Sequence, residues 1–459
     1  MLTILTVVNL VVGAAISLGA LLAAVISFRE AERRAAVLSL LGFILNGLFW
    51  SALMSLLLRQ GSTAIKTVNL LVLAGILTFA LVSWLKFSPE SEDLPAESNT
   101  VRYDERDHMF SRNALKFNQE HGKTYYAHLH PELRQVDAAI HAKPELGEPG
   151  STYYHPYFSP TFVAAFSFLS RIRPLTMRNP APQKTKVDPY EMKSAIKELA
   201  LYYGAADVGF ARLEKRHFYS HHGRDPAQWG NPVECRHRTA IVIVVPMKVA
   251  SMKKAPLVQA VNESARSYVE AAKVACVVAE YLGHFGYDSR AHTDGNYLAP
   301  LVPLAVEAGL GEVARMGLLI HPSLGPCLRI SMVSTELELP SDEKRTFGVA
   351  YFCRFCLKCA ENCPTRSISF EDHPVVDRGA VHWKISQEKC FSFWKSIGTD
   401  CGLCISVCPY TKEDNIFHRL VRRYISRNAL NRRLALLFDD LLYGRRKQIP
   451  ARNDRQIKL

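Results

Sequence analysis

The chain has 459 residues, a formal net charge of +13 and eleven cysteines, and 48% of its residues are hydrophobic. This length exceeds that of one compact domain and predicts two or three folding units. Eight cysteines lie between Cys353 and Cys408 in short-spaced groups, whereas a secreted disulfide framework distributes its cysteines over a small domain. The composition therefore argues against a disulfide scaffold and favours metal ligation.

Three apolar runs, Leu5–Phe28, Ala36–Leu58 and Thr67–Phe87, occupy the N-terminal part of the chain. Each has about twenty residues or more, and at about 1.5 Å per helical residue this is enough to cross a hydrocarbon core about 30 Å thick. The first residues lack the basic start that is typical of a cleaved signal peptide. The pattern predicts a transmembrane anchor of three α-helices over residues 1–87.

Basic residues around these runs predict the orientation of the anchor. The first loop, residues 29–34, carries three arginines and Lys86 borders the third run, whereas the second loop holds only Arg59 and Lys66. By the positive-inside rule, this count of four against two places the first loop and the C-terminal part of the chain in the cytoplasm. No twin-arginine export signal precedes the first run. We therefore expect a multi-pass protein of the inner membrane.

The remainder of the chain divides by composition. Residues 88–100 are acidic and rich in Pro and Ser, which is typical of a linker, and the aromatic-rich residues 101–187 suggest irregular segments that wrap a core. Over residues 188–345, strand-like runs such as Thr239–Pro246 alternate with helical runs such as Asn262–Phe285, which predicts an α/β domain.

The chain ends in a basic tail over residues 416–459, with twelve Arg and Lys against three Asp. Such a tail could be a solvated helix face, a nucleic-acid patch or a surface drawn to anionic lipid headgroups. The three apolar runs favour lipid.

Between residues 346 and 415 the cysteines follow two related patterns. The first is Cys353-x2-Cys356-x2-Cys359-x3-Cys363-Pro364, and the second is Cys390 followed by Cys401-x2-Cys404-x3-Cys408-Pro409. In two-cluster ferredoxins the fourth cysteine of such a run ligates the other cluster. We therefore assign one [4Fe–4S] cluster to Cys353, Cys356, Cys359 and Cys408, and a second to Cys363, Cys390, Cys401 and Cys404. Zinc also accepts four thiolates, but this doubled spacing favours a ferredoxin-like domain.

Several stretches outside the cysteines resemble corrinoid-dependent reductive dehalogenases: Tyr103–Arg112, Ala305–Gly317 with its continuation Leu318–Pro326, and Arg329. Residues 1–87, with Glu30-x-Glu32 in the first loop, resemble the separate membrane-anchor subunit of that family, here fused to the catalytic part. The resemblance implies a corrinoid-binding, nitroreductase-like α/β domain over residues 188–345 and an enzyme that removes halide from an organohalide. Most respiratory members carry a twin-arginine signal, which this sequence lacks.

The same resemblance implies site residues. A cobalamin-type corrinoid would be held base-off, and no Asp-x-His-x-x-Gly motif is present. In this family a tyrosine donates the proton and a nearby cation stabilises the phenolate. Tyr268 and Arg329 match these roles, although a packed core tyrosine and an arginine in a salt bridge are the plain alternatives. The predicted cofactor or substrate contacts are Asn296, Gly309, Gly311, Gly317 and Trp394.

The implied partners are an organohalide, membrane lipid and an electron donor, which would be a quinol, a ferredoxin or a flavoprotein. A homodimer is left open, nucleic acid is not expected, and aryl and alkyl halides are not distinguished. Two other functions compete. An enzyme like epoxyqueuosine reductase uses the same cofactors on tRNA, but the apolar runs do not suit it. A membrane-bound iron–sulfur electron carrier would have no catalytic site.

Overall fold

The computed structural model describes residues 2–59, 63–85, 101–377 and 380–449. The predicted linker, residues 88–100, and the last ten residues of the predicted basic tail lie outside the described residues. The chain divides into two compact units, one formed by residues 1–90 and 413–447 and the other by residues 91–412 and 448–459. The division differs from the linear order of predicted domains, because most of the basic tail belongs to the same unit as the N-terminal helices.

The first unit begins with three long helices, α1 (Leu2–Arg29), α2 (Arg33–Arg59) and α3 (Thr63–Trp84). All three are long and apolar enough to cross a membrane, as the apolar runs predict. α1 packs closely on α2, and a Cβ atom at Gly13 would lie 2.7 Å from the Trp50 ring. Two pairs of polar side chains connect these helices: Asn9 hydrogen-bonds Asn69 at 3.0 Å, and Asn46 donates to Ser17 at 2.7 Å.

The second unit is organised around a sheet whose strands come from distant parts of the chain. The strands of the second unit are β1 (Asp207–Arg212), β2 (Thr239–Pro246), β3 (Ser289–His292), β4 (Glu312–Val313), β5 (Leu319–Ile320), β6 (Leu328–Thr335), β7 (Val375–Asp377) and β8 (Ala380–His382). Four of them form an antiparallel sheet in the order β1-β2-β6-β3, and β4-β5 and β7-β8 form separate pairs. β2 is buried along nearly its whole length, which its run of β-branched residues predicts.

Helices cover both faces of this sheet. The helices of the second unit are, in chain order, α4 (Met109–Ala114), α5 (Gln119–Thr124), α6 (Arg134–His141), α7 (Ser159–Arg171), α8 (Pro189–Tyr202), α9 (Val249–Met252), α10 (Val258–His284), α11 (Leu301–Glu307), α12 (Val349–Cys356), α13 (Lys358–Glu361), α14 (Gln387–Ile397) and α15 (Leu403–Ser406). Ala275 and Val278 of α10 pack with Ile243 on one face, and Leu304 of α11 packs with Val242 on the other. The segment 101–187, expected to be irregular, contains four of these helices.

The C-terminal part of the first unit forms two further helices, α16 (Ile416–Ile425) and α17 (Ala429–Tyr443). Asn415 and Asn428 cap them, since their side chains accept hydrogen bonds from the backbone N–H groups of His418 and Asn431. α17 packs against α2. The basic composition of this segment did not by itself predict that it forms a helical hairpin.

Candidate cofactor and active site

Four cysteines, here called the first cysteine group, line one cavity: Cys353, Cys356, Cys359 and Cys408. α12 supplies the first two, and α13 supplies Cys359. Between these helices Leu357 adopts the left-handed conformation, with φ of 56°, so the chain turns sharply and directs successive cysteines to the same cavity. Cys408 arrives from the segment after α15.

The other four, here called the second cysteine group, line a different cavity of about 200 Å³: Cys363, Cys390, Cys401 and Cys404. These two sets are the ones that the spacing assigns to two clusters. A zinc site would need its ligands to converge within about 2.3 Å of one point. Among the described residues, no group of His, Cys, Asp and Glu side chains is arranged to hold a single metal ion.

Burial governs the protonation of these thiols. It raises the pKa of Cys353 and Cys390 to about 11 and that of Cys404 to about 12, so each is a neutral thiol at neutral pH on its own. Cys363 differs, because hydrogen bonds from Thr365 and from the Ser367 backbone outweigh its burial and lower its pKa. Four thiolates held together therefore require nearby positive charge, which the irons of a cluster supply. The donor set fits such a group.

Arg315 is a buried cation beside the first cysteine group that the sequence did not single out. Its guanidinium donates to the carbonyl oxygen of Cys353 at 2.9 and 3.0 Å and lies 4.1 Å from the centroid of the Trp383 ring. Its backbone N–H points to the sulfur of Cys353 at 3.5 Å. Arg315 lies within the stretch that carries the family resemblance, and this was the only signal available for it.

Tyr268 and Arg329, the predicted catalytic pair, both line the cavity of the second cysteine group, which we call the Tyr268 cavity. Tyr268 comes from α10, and Arg329 lies near the start of β6, where it pairs with Val245 of β2. The guanidinium of Arg329 lies 4.8 Å from the centroid of the Tyr268 ring. Residues far apart in sequence thus meet because α10 packs across the strand that carries the arginine.

The electrostatics of the Tyr268 cavity favour a neutral phenol. Burial raises the pKa of Tyr268, and the positive charge of Arg329 only partly opposes this rise. Arg329 also lies 3.5 Å from Asp400 and donates to the hydroxyl of Ser264. The Nε of Arg329 and the Oδ1 of Asp400 are buried, and the described residues provide neither with a hydrogen-bond partner. Asp400 directly precedes Cys401 and was not predicted.

Trp394 and Asn296 occupy different places. Trp394 lines the Tyr268 cavity together with Cys390, and its contact with a substrate or a cluster stays a prediction. Asn296 lines a larger cavity of about 410 Å³, which also contains Arg173, Arg224 and Arg290. The side chain of Asn296 accepts a hydrogen bond from Arg290 at 2.7 Å.

Packing and backbone conformation within the protein already account for the three predicted glycines. A Cβ atom at Gly309 would lie 2.3 Å from the carbonyl oxygen of Glu343, and one at Gly311 would lie 2.1 Å from that of Ile320. Gly317 has φ of 73°, and its Cβ would approach Ile385 at 2.7 Å. Close backbone therefore excludes a side chain at Gly309 and Gly311, and the left-handed conformation disfavours one at Gly317. Their contact with a corrinoid stays a prediction.

The chain resembles known proteins in sequence. The family described as a 4Fe-4S dicluster domain matches residues 352–412. The tetrachloroethene reductive dehalogenase of Desulfitobacterium hafniense is 36% identical over 211 residues, which are 44% of this chain and 38% of that protein. The tetrachloroethene reductive dehalogenase of Sulfurospirillum multivorans is 30% identical over 296 residues, 57% of this chain and 59% of that protein. Over these regions the chain is similar in sequence to reductive dehalogenases.

The fold agrees with this relationship. A solved reductive dehalogenase, described as suggesting a mechanism for B12-dependent dehalogenation, superimposes with a TM-score of 0.61 and 26% sequence identity, covering 75% of this chain and 46% of that one. The chain therefore shares the reductive dehalogenase fold over the matched part and contains a 4Fe-4S dicluster domain. It spans less than two thirds of the length of the relatives that it matches.

Proposed function

We propose that the chain is a membrane-anchored reductive dehalogenase that removes halide from an organohalide, with Tyr268 as the proton donor. The observation that carries the proposal is that Tyr268 and Arg329 border the same cavity as the second cysteine group. A proton donor, a cation and the ligands of an electron-transfer centre thus surround one space. An electron carrier without catalysis needs only the cysteines, and its function does not explain the buried Tyr268–Arg329 pair.

The residues around this space and around the larger cavity of Asn296 fit a base-off corrinoid. Among the described side chains that line these two cavities, four have a buried nitrogen or oxygen atom without a hydrogen-bond partner: Arg329 Nε and Asp400 Oδ1 at the Tyr268 cavity, and Arg173 Nε and Arg290 Nε at the larger cavity. Buried polar atoms are nearly always paired, and the amide groups around a corrinoid would pair them. When bound, the corrinoid supplies the reducing cobalt, and two [4Fe–4S] clusters held by the eight cysteines supply its electrons.

The protein itself then provides the proton. The Tyr268 hydroxyl transfers its proton to the carbon atom from which halide departs, and the phenolate that forms is stabilised by Arg329, whose guanidinium already lies over the ring. The raised pKa of Tyr268 keeps the proton in place between turnovers. Trp394, at the wall of the same cavity, restricts the space available to the substrate.

The three long helices serve as the anchor in this proposal. Their outward side chains are apolar and exposed, among them Leu18, Leu45 and Leu71, each more than 60% exposed. An apolar surface of this extent calls for lipid. The distribution of Arg and Lys favours the inner membrane with the first loop and the catalytic unit on the cytoplasmic side. The electron donor would then be a membrane quinol, or a ferredoxin or flavoprotein of the cytoplasm.

A halide-release assay tests the proposal. The full chain, purified in detergent without oxygen and supplied with reduced methyl viologen, is offered a panel of aryl and alkyl chlorides and bromides, and free halide is measured. We expect release from at least one class, and no release after the cysteines of the second group are replaced by serine. Protein that is loaded with cobalt and iron but releases no halide from any member of the panel contradicts the proposal.

A further inference from the structure

Helix α17 buries several polar side chains and exposes several large apolar ones. Asn431, Arg432 and Asp439 are 0%, 2% and 9% exposed, whereas Leu437 and Phe438 are 62% and 55% exposed. Leu430, two turns before Leu437, and Leu441, one turn after it, are also exposed, while the exposed Arg433 interrupts this stripe and Leu436 lies on the buried face. In water such a helix would turn its apolar stripe inward. The buried polar stripe and the exposed apolar stripe together indicate that the medium outside α17 is apolar.

Polar residues at the start of α17 hydrogen-bond the backbone at the end of α3. Asn428 donates to the carbonyl oxygens of Val82 and Leu85 at 3.1 and 3.0 Å, and Asn431 donates to that of Ser83 at 2.8 Å. These carbonyls belong to the end of α3, whose last C=O groups have no partner within the helix. The start of α17 is therefore fixed at the level where α3 ends.

That level is marked by an aromatic residue. Trp84, the last residue of α3, is 69% exposed, and tryptophan at the end of an apolar helix is typical of the membrane–water interface. The guanidinium of Arg427 lies 5.2 Å from the centroid of the Trp84 ring and donates to the carbonyl oxygen of the same residue. Arg427 immediately precedes the Asn428 cap of α17, so the turn between α16 and α17 lies at the level of Trp84.

α16 also exposes apolar side chains, here together with arginines. Ile416 and Leu420 are 70% and 60% exposed, and Arg419 and Arg423 are exposed beside them. Apolar side chains flanked by arginines are typical of helices that lie in the headgroup region, where the arginines reach lipid phosphates.

We infer that the hairpin formed by α16 and α17, residues 416–443, is a second membrane element of this chain, which lies along the membrane–water interface with Leu437, Phe438 and Leu441 among lipid acyl chains. The inference rests on the proposed anchoring by α1–α3, and its apolar stripe is continuous with their exposed apolar surface, because α17 packs against α2 and caps α3. α17 has 15 residues. At about 1.5 Å per residue it is shorter than a hydrocarbon core of about 30 Å, so it lies in the interface and does not span the bilayer.

Site-specific photo-cross-linking tests the inference on the full chain in nanodiscs of phosphatidylethanolamine and phosphatidylglycerol. The photoreactive aromatic residue p-benzoylphenylalanine replaces Phe438 in α17, Phe79 in α3 as the positive control, or Tyr202 in α8 as the control for a water-exposed surface. Each replacement exchanges one exposed aromatic for another, since the three are 55%, 47% and 84% exposed. Adducts are identified by mass spectrometry after ultraviolet irradiation.

We expect phospholipid adducts from positions 438 and 79 and none from position 202. Lipid adducts from position 79 but none from position 438 would overturn the inference and leave the anchor in place. Adducts of position 438 with a second copy of the chain would overturn it in favour of a dimer interface. Absence of lipid adducts from both positions would refute the anchoring on which the inference rests.

Discussion

The guanidinium of Arg329 lies over the face of the Tyr268 ring, 4.8 Å from its centroid. A cation in this position is attracted by the neutral ring and more strongly by a phenolate. Burial still keeps the pKa of Tyr268 above its ordinary value. The pair is therefore suited to a phenol that holds its proton at rest and gives it up only when a strongly basic carbon forms beside it.

Replacing Tyr268 with Phe removes the proposed proton donor and leaves the ring in place. We expect kcat for halide release to fall about 10²- to 10⁴-fold, the usual contribution of a positioned acid, while iron and cobalt contents stay unchanged. Tyr202→Phe, at an exposed tyrosine of α8, is the matched control and should leave kcat unaltered. Equal activity of Tyr268→Phe and the wild-type chain would remove Tyr268 from the mechanism.

Replacing Arg329 with Lys keeps a positive charge and loses the planar group that lies over the ring. Since such contacts contribute about 0.5–2 kcal/mol, we expect kcat to fall about tenfold, and to fall further in Arg329→Met, which also removes the cation beside Asp400. Arg212→Lys, at an exposed position of β1, serves as the control. If Arg329→Met kept the kcat of the wild-type chain, the role of the cation would be wrong.

The pH dependence follows from the direction of the Tyr268 shift. Burial raises the pKa of Tyr268 above its ordinary value, so the proton donor is protonated at neutral and mildly alkaline pH and is lost only as pH rises through the raised pKa. We expect kcat to show no decline due to Tyr268 between neutral pH and about pH 9, about one unit below the ordinary tyrosine pKa of about 10. A decline at lower pH that is present in the wild-type chain and absent from Tyr268→Phe would contradict this expectation.

The spacing of residues in the sequence predicted the grouping of the cysteines and the long apolar helices. The cysteine runs gave the two sets of four that line separate cavities, and three apolar runs gave three long helices. Contacts between distant segments left no such pattern. Arg315 beside Cys353 and Asp400 beside Arg329 result from packing. The tail over residues 416–459 was described only by its charge. Its two helices were not predicted, because they bury polar residues and therefore lack the apolar inner face of soluble helices.

Separate loss of the two clusters should be measurable as iron content. In Cys390→Ser we expect iron to fall from about eight to about four per chain, because one [4Fe–4S] cluster loses a ligand, and halide release to cease. Cys276→Ala, at a cysteine outside both groups, should keep the iron of the wild-type chain. Retention of all iron in Cys390→Ser would show that Cys390 is not a ligand.

A buried contact in the first unit should be needed for its stability. Nε2 of His418 lies 3.0 Å from Oε1 of Glu30, with both side chains less than 10% exposed, and Asn415 donates to the same carboxylate at 2.9 Å. We expect His418→Ala to destabilise this unit by about 1–3 kcal/mol, because the buried carboxylate loses one donor, as measured by thermal unfolding in detergent. Arg419→Ala, which breaks only an exposed ion pair with Asp414, should destabilise the unit much less than His418→Ala does, because exposed ion pairs contribute little to stability. Identical unfolding of both variants would contradict the prediction.

The central claim is that a cobalt-containing cofactor and two iron–sulfur clusters act together in this chain. The most direct measurement is elemental analysis of the purified full chain in the same preparation that is assayed for halide release. The account predicts about one cobalt and about eight iron per chain, with halide release in proportion to cobalt. Full iron with no cobalt, in a chain supplied with corrinoid, would contradict it.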